Sequence, residues 1–495
     1  MLLALPIALP FAVGVLCHAL RGRPALLRAV SLAGALGLLA VAAAILERVL
    51  REGPAAAQMG GWPAPYGITL AADALGAGLL TATAISGVAA VLFGFAEVDP
   101  RSERVGHHTF LHVLLGGVSG AFVTGDLFNL YVWFEVLLIA SFGLLVLRGG
   151  RRQLDGAARY VTLNLVATVA FLLGVGLLYG STGTLNMADL RGAAAIESPA
   201  KLLVTGAFLL FAFGAKAAMF PAFFWLPASY HTPSFTVSAL FAALLTKVGV
   251  YAAFRTFTLI YGLETPWLSD LLLWGGGVTM VVGVLGAIAQ GELRRVLAFQ
   301  VISSIGYMMA IVSVGGQAAT AAAIFYLLQD MIVKVALFTT GWIVARQGGT
   351  EDLTLSGGLW ARAPLLGALF LAPALSLAGL PPFAGFWAKV LFTDAALEAD
   401  LGWLAAVGLG VGVLTLYSMA RVFALTFWRP RPVDSPVAAM AADRPPLAAL
   451  ATTMGLAALI VWIGVRPEPF LAFAHAAAAD VVNPDPYLAA VLGER

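Results

Sequence analysis

Apolar residues run through this chain in blocks of about twenty, with short polar stretches between them. Fourteen blocks fall near residues 1–20, 25–50, 72–95, 107–124, 126–147, 159–180, 201–226, 234–258, 268–289, 295–314, 318–345, 364–394, 402–427 and 446–465. Each is long enough for a transmembrane helix. Two of them carry internal prolines beside a lysine. In the seventh, Lys216 precedes Phe220–Pro227, FPAFFWLP. In the twelfth, Lys389 follows Leu380–Trp387, LPPFAGFW. Proline removes a helical hydrogen bond, so both helices are expected to break near the middle. Ordinary proline kinks are the competing reading. Blocks four to eight and nine to thirteen make two units of five helices. An odd number makes the second unit enter from the opposite side, which is an inverted repeat. The expected fold is therefore all-α and membrane-integral, with about fourteen helices. Its divisions are a three-helix segment (1–100), two five-helix units (105–260 and 266–428), and a linker, last helix and tail (429–495).

The positive charges set the orientation. Of the 28 lysines and arginines, 17 fall in loops on one side, among them Arg21, Arg23, Arg28, Arg101, Arg148, Arg294, Arg346 and Arg429. Seven fall on the other: Arg48, Arg51, Arg191, Lys201, Arg255, Arg466 and Arg495. The richer side reads as cytoplasmic, with both termini outside. The remaining four, Lys216, Lys247, Lys334 and Lys389, are all lysines inside spans. Arginine keeps its proton in a protein, whereas buried lysine can lose it. That division favours proton handling. Simple neutralisation of a nearby carboxylate is the blander alternative.

Composition narrows the class. The chain is 61% hydrophobic and 11% charged, and its net charge of +2 gives no reason to expect nucleic acid. A single cysteine, Cys17, excludes an internal disulfide and a cysteine-held cluster. The first block has no basic residue before it, so it reads as a retained helix rather than a signal peptide. His108 and His112 make only a weak HxxxH metal signal and read as polar packing. No histidine pair suited to haem and no phosphate loop is found. No cofactor is expected in this chain.

Glu135 lies nine residues into the fifth block, about 13.5 Å from its start and near mid-membrane. It needs a partner or a proton there. Lys216 is the natural partner; at ~4 Å such a pair is worth about 4 kcal/mol at an effective dielectric near 20. Moving Glu135 would then release the lysine's proton, unless the pair is a static salt bridge. Lys247, Lys334 and Lys389 would continue the route in the plane of the membrane. Asp330, one turn before Lys334, has the spacing to pair with it. Ser141, Thr162, Asn164, Ser238, Thr246, Ser303, Ser304, Tyr307, Tyr326 and Gln329 could hold bridging water. His231, between the seventh and eighth blocks, could gate protons, since histidine titrates near neutral pH; a plain loop histidine is the alternative.

Four segments carry a resemblance: Thr124–Ser141, Phe213–Pro227, His231–Arg255 and Gly379–Phe392. They resemble the antiporter-like family. That family includes the proton-pumping membrane subunits of respiratory complex I and the large subunits of Mrp-type multisubunit Na+/H+ antiporters. The wording is closer to the antiporters. The resemblance spans roughly residues 70–430. It implies fourteen helices in two inverted units, broken seventh and twelfth helices, a Glu135–Lys216 pair, and a proton path through Lys247 and Lys334 to Lys389. It also implies partners: a large A-type subunit and small membrane subunits, with H+ and Na+ as cargo. Relatives often carry histidine one turn before the span-eleven lysine, where this chain has Gln329 and Asp330, so the central link must rest on Asp330. A redox-driven pump remains the alternative.

Overall fold

The computed structural model describes residues 2–263, 265–432 and 445–493. Most of the linker expected at 429–446, with Arg444, lies outside them. Every apolar block is helical, and among the described residues twelve helices are long and apolar enough to cross a membrane. The other two blocks fall short for separate reasons. His107–Val123 has only 17 residues. The block at 364–394 is split into Pro364–Ala378 and Ala384–Glu398.

Both expected breaks are present. Pro199–Ala217 stops where Ala218 turns to φ 65°, and helix resumes at Trp225–Ser229. The second break turns at Gly379, φ 87°. A broken helix frees backbone groups, and in lipid these must be satisfied from within the protein. Trp225 Nε1 donates to Ala215 O at 3.0 Å, and Thr279 Oγ1 accepts from Phe220 N at 2.9 Å. At the second break Ser376 Oγ accepts from Gly385 N at 3.0 Å, and Lys389 Nζ donates to Ala378 O at 2.9 Å. The lysine of each broken helix thus stands at the discontinuity.

Glycine sets how closely the helices approach. A Cβ at Gly249 would lie 2.5 Å from Ala217 N. The first broken helix therefore rests its backbone, one residue past Lys216, directly on helix Thr246–Thr256. Pro266–Ala289 and Leu293–Val314 meet in the same way: a Cβ at Gly283 would collide with Ser303 N, and one at Gly306 with Met280 N. Small residues at such seams allow backbones to close on each other where apolar burial gives no drive between helices.

Several elements have no counterpart in the sequence reading. Ala55–Gln58 and Thr69–Ala72 pair as an antiparallel hairpin. The eighth span is not uniformly α-helical: Phe241–Leu245 and Phe257–Tyr261 are π-helical turns, as is Ala424–Trp428 in the thirteenth. The tail after Pro467 packs on this chain. Glu468–Val482 lies on Gly316–Gly348 and Ala74–Glu97, and Asp485–Leu492 on Ala55–Gln58 and Met187–Ala195.

Gly249→Ala is expected to destabilise by about 1–3 kcal/mol, because backbone rather than a movable side chain blocks the new methyl. Gly176→Ala, with nothing within 4 Å, should leave the thermal midpoint nearly unchanged. Melting curves of the two variants side by side test whether this seam is closed to a methyl group.

Candidate functional site

The site is centred on one carboxylate. Asp330 Oδ2 lies 2.7 Å from Lys247 Nζ, and Asp330 Oδ1 lies 3.3 Å from Lys334 Nζ. All three side chains are fully buried. Lys334 belongs to the same helix as Asp330, four residues on, so that contact follows from helical spacing. Lys247 comes from helix Thr246–Thr256, so Asp330 ties that helix to Gly316–Gly348. The π-helical turn Phe241–Leu245 ends immediately before this region. Lys247 Nζ also donates to Ala242 O, at 2.8 Å, inside that turn. Lys334 Nζ donates to Ser304 Oγ at 2.8 Å and to Gln300 O at 3.0 Å. Around the triad, Thr246 Oγ1, Gln300 Nε2 and Gln329 Oε1 are buried without a hydrogen-bond partner among the described residues. Buried polar atoms are seldom left bare, and such positions take water.

The outer lysines are less enclosed. Lys389 lies 5.1 Å from the Tyr307 ring centre and lines a largely apolar cavity of about 410 Å³. Tyr307 stacks on Tyr326 at 5.3 Å, and its hydroxyl donates to Gly408 O. Tyr326 lies one turn before Asp330, so the two rings lead from Lys389 towards the central triad. At the other end, Lys216 Nζ lies 5.4 Å from the Phe134 ring centre. Beside it is an enclosed void of about 20 Å³, lined by Tyr160, Asn164 and Leu245. A void of that size takes about one water. It lies between Lys216 and the eighth span.

Three expectations need correction. Glu135 and Lys216 do not form a direct ion pair. Glu135 is half-buried and its Oε1 accepts from Thr168 Oγ1 at 2.8 Å, while Lys216 sits over Phe134. Their charges still interact. The carboxylate enclosed among lysines is Asp330. His231 is no neutral-pH gate in this arrangement. Its Nδ1–H donates to Pro227 O at 2.8 Å and its Nε2 accepts from Arg295 at 3.3 Å, which leaves no room for a second proton. Burial first, then the Arg295 charge, hold it down at about 4. Arg255, placed among the surface arginines, is buried and paired with Asp73 at 2.6 Å.

Of the other predicted polar residues, Ser238 Oγ donates to Tyr230 O at 2.6 Å, satisfying the carbonyl that ends helix Trp225–Ser229. Ser141 Oγ and Tyr160 Oη share a 2.6 Å hydrogen bond. Gln329 offers only a 3.4 Å contact to Tyr326 O. His108 Nδ1 and His112 Nε2 each lie 2.9 Å from Ser31 Oγ, which is the expected polar packing. Among the described residues no group of three His, Cys, Asp or Glu side chains could hold a metal ion.

Residues 124–415 match the family model described as NADH:quinone oxidoreductase/Mrp antiporter, transmembrane. That stretch encloses Glu135, all four buried lysines and Asp330. The D subunit of the Na(+)/H(+) antiporter of Alkalihalophilus pseudofirmus is 38% identical over 494 residues, covering 100% of this chain and 99% of the relative. The chain belongs to the family of Mrp antiporter D subunits. The corresponding Na(+)/H(+) antiporter D subunit of Bacillus subtilis is 37% identical and matches 99% of each chain. Among solved structures, a chain of the Mrp complex from Dietzia sp. DQ12-45-1b superposes with a TM-score of 0.93 at 32% identity, over 99% of each. A chain of a membrane-bound sulfane sulfur reductase, an archaeal respiratory complex, gives 0.89 at 27% identity, over 99% of each.

For this member of the Mrp antiporter family the histidine expectation has a pH sign. His231 is neutral when folded and its ordinary value is 6.5, so below pH 6.5 the unfolded chain binds the extra proton. Its contribution to stability is full above 6.5 and is lost as pH falls towards about 4. His231→Gln should flatten that part of the stability–pH curve. Equal acid sensitivity of both proteins, read by unfolding at stepped pH, would show His231 to be solvated instead. Asp330→Asn leaves two buried amines with no carboxylate and should destabilise by about 3–5 kcal/mol if both stay charged. Asp330→Asn/Lys247→Met should recover much of that loss; no recovery in the double variant would deny the shared pairing.

Proposed function

We propose that this chain is the proton-translocating subunit of a multisubunit Na+/H+ antiporter in the cytoplasmic membrane. The observation that carries the reading is the single carboxylate, Asp330, shared between Lys247 and Lys334 where helix Thr246–Thr256 meets Gly316–Gly348. Relatives named as D subunits of Na(+)/H(+) antiporters match the chain from end to end. Fourteen crossings, two inverted five-helix units and outside termini complete the picture, consistent with the arginine distribution.

Lysine is suited to this work because its amine can give up a proton when buried, and it returns to charge when a carboxylate approaches. One carboxylate cannot neutralise two ammonium groups. An excess proton at the centre is therefore held between Lys247 and Lys334, and Asp330 favours whichever amine carries it. Glu135 does the equivalent at the first end: swinging from Thr168 to Lys216 favours the charged amine, and swinging back frees the proton. Ser304, Tyr326 and Tyr307 supply hydroxyls towards Lys389, with water in the remaining gaps. No step requires a cofactor on this chain. The cation crosses elsewhere in the complex, with a large A-type subunit and small membrane subunits as partners.

The redox-pump alternative has the weaker support: the likeness to a respiratory membrane complex (TM-score 0.89, 27% identity) falls below that to the Mrp complex (0.93, 32%). In that alternative the same relay would pump protons using electron transfer in other subunits. Copurification separates the two: small membrane subunits go with the antiporter, flavin and iron–sulfur subunits with the redox machine. The direct test is Na+-dependent ΔpH in inverted vesicles holding the assembled complex. Lys389→Ala and Asp330→Asn should each lower it at least tenfold, and Glu135→Gln several-fold. Full activity in Lys389→Ala, with the complex intact, ends the relay reading.

A further inference from the structure

A relay lying in the membrane plane needs a vertical limb to each face. The eighth span supplies groups for one. Lys247, Tyr251 and Arg255 are spaced four residues apart and share one face of helix Thr246–Thr256. Eight residues carry the line about 12 Å from the level of Lys247. This is the direction away from the arginine-rich loops. Tyr251 Oη donates to Phe122 O at 3.3 Å, and its ring packs edge-on to Phe122. Arg255 Nη2 donates to Asp73 Oδ1 at 2.6 Å. Asp73 is 1% exposed, and its second oxygen, Oδ2, has no hydrogen-bond partner among the described residues.

About one turn further along the helix lies a cavity that none of Asp73, Arg255 and Tyr487 lines. It measures about 730 Å³ and is lined by Arg191, Glu197, Thr258, Thr320, Val481 and Val482. Thr258 is one turn past Arg255 on the same helix, and Val481 adjoins Asp480. The tail covers this place. Tyr487 lays its ring 5.3 Å from the Arg255 guanidinium, opposite Tyr251 at 5.6 Å. Asp480 reaches the Asp73 charge, and burial first, then that charge, push its carboxyl up. The charged and titratable groups around Asp73 are thus Arg255, Tyr251, Tyr487 and Asp480, with Asp126 behind Tyr487. An ion pair buried this deeply is weak support for stability, since a packed apolar pair of the same volume would serve as well or better.

We propose that Asp73 and Arg255 form a gated proton port from the 730 Å³ cavity to Lys247, with Tyr487 as its lid. The proposal rests on the proton-translocating reading above and adds the route from the outer face. A proton from cavity water binds Asp73 at its free Oδ2, and the neutral acid releases Arg255. The guanidinium keeps its own proton and is held between the Tyr251 and Tyr487 rings. Asp73 then passes the proton, through water beside Tyr251, to a Lys247 amine that has already given its proton onward. The carboxylate, charged again, recaptures Arg255. One proton enters and one reaches Lys247, so charge balances at each step.

The test uses the assembled complex in vesicles. Asp73→Asn keeps the cap on the Gly76 amide but cannot carry a proton. It should lower Na+-dependent ΔpH at least tenfold, and Asp73→Glu should restore part of it. Tyr487→Ala should give the opposite sign, a several-fold rise in proton leak without sodium, which loss of a structural contact would not produce. Wild-type rates in Asp73→Asn, or no leak in Tyr487→Ala, overturn the proposal. If Asp73→Asn does not assemble, a carbodiimide on the wild-type complex decides, because it modifies protonated carboxyls. Asp73 modified faster during sodium-driven turnover supports the port, and an unmodified Asp73 refutes it. Lys389→Ala in the same assay keeps the readings apart: if it stays active the whole relay falls, whereas if only the Asp73 arm fails the port alone is lost.

Discussion

Three ionisable groups with one negative charge among them sit at the centre of this molecule, buried away from bulk solvent. Removing an ion from solvent costs several kcal/mol even after relaxation, and two ammonium groups cannot both be repaid by Asp330. The second amine is left with neutral acceptors, Gln300 O and Ser304 Oγ for Lys334, or Ala242 O for Lys247. Such a triad has two near-equivalent arrangements and no fully satisfied one. That is a poor design for a rigid core, and it is the arrangement on which the proposed proton relay rests.

The surrounding helices are arranged to keep this centre connected sideways. The two discontinuous helices bring Lys216 and Lys389 to places where backbone carbonyls and small voids are available, so that neither amine has to be stranded in hydrocarbon. Gly249 lets the first of them approach within backbone distance of the helix carrying Lys247. Tyr307 and Tyr326, stacked, fill the opposite interval with hydroxyl-bearing rings. Close packing and polar continuity are thus met by the same few residues.

Much of this was legible along the chain. Lysines inside apolar blocks, and prolines beside two of them, mark the buried amines and the helix breaks because both residue types are costly in a bilayer helix. The contact between Lys247 and Asp330 was not legible, since it joins different helices and no local spacing encodes it. Asp330 reads locally as the partner of Lys334 alone. Arg255 was misread because its place at the end of an apolar block resembles a loop, and its partner Asp73 belongs to a distant helix. Glu135 was given the pairing its depth suggested, but Thr168 on the neighbouring helix offered a nearer hydrogen bond. His231 looked like a pH switch because the sequence carries no sign of Arg295 beside its Nε2. The hairpin escaped notice because Ala55–Gln58 is three alanines and a glutamine, with no strand signature.

The π-helical turn at Phe241–Leu245 has a consequence for how this helix can change over time. A turn of that kind holds about one residue more than an α-helical turn. Losing any one of those five residues would leave a perfectly apolar helix of almost the same length. It would also rotate everything after it by about 100° and swing Lys247 off Asp330. Exchanging one apolar side chain for another in this stretch leaves the register of Lys247 intact, whereas a change in residue count breaks it. Length, rather than composition, keeps the amine on its partner.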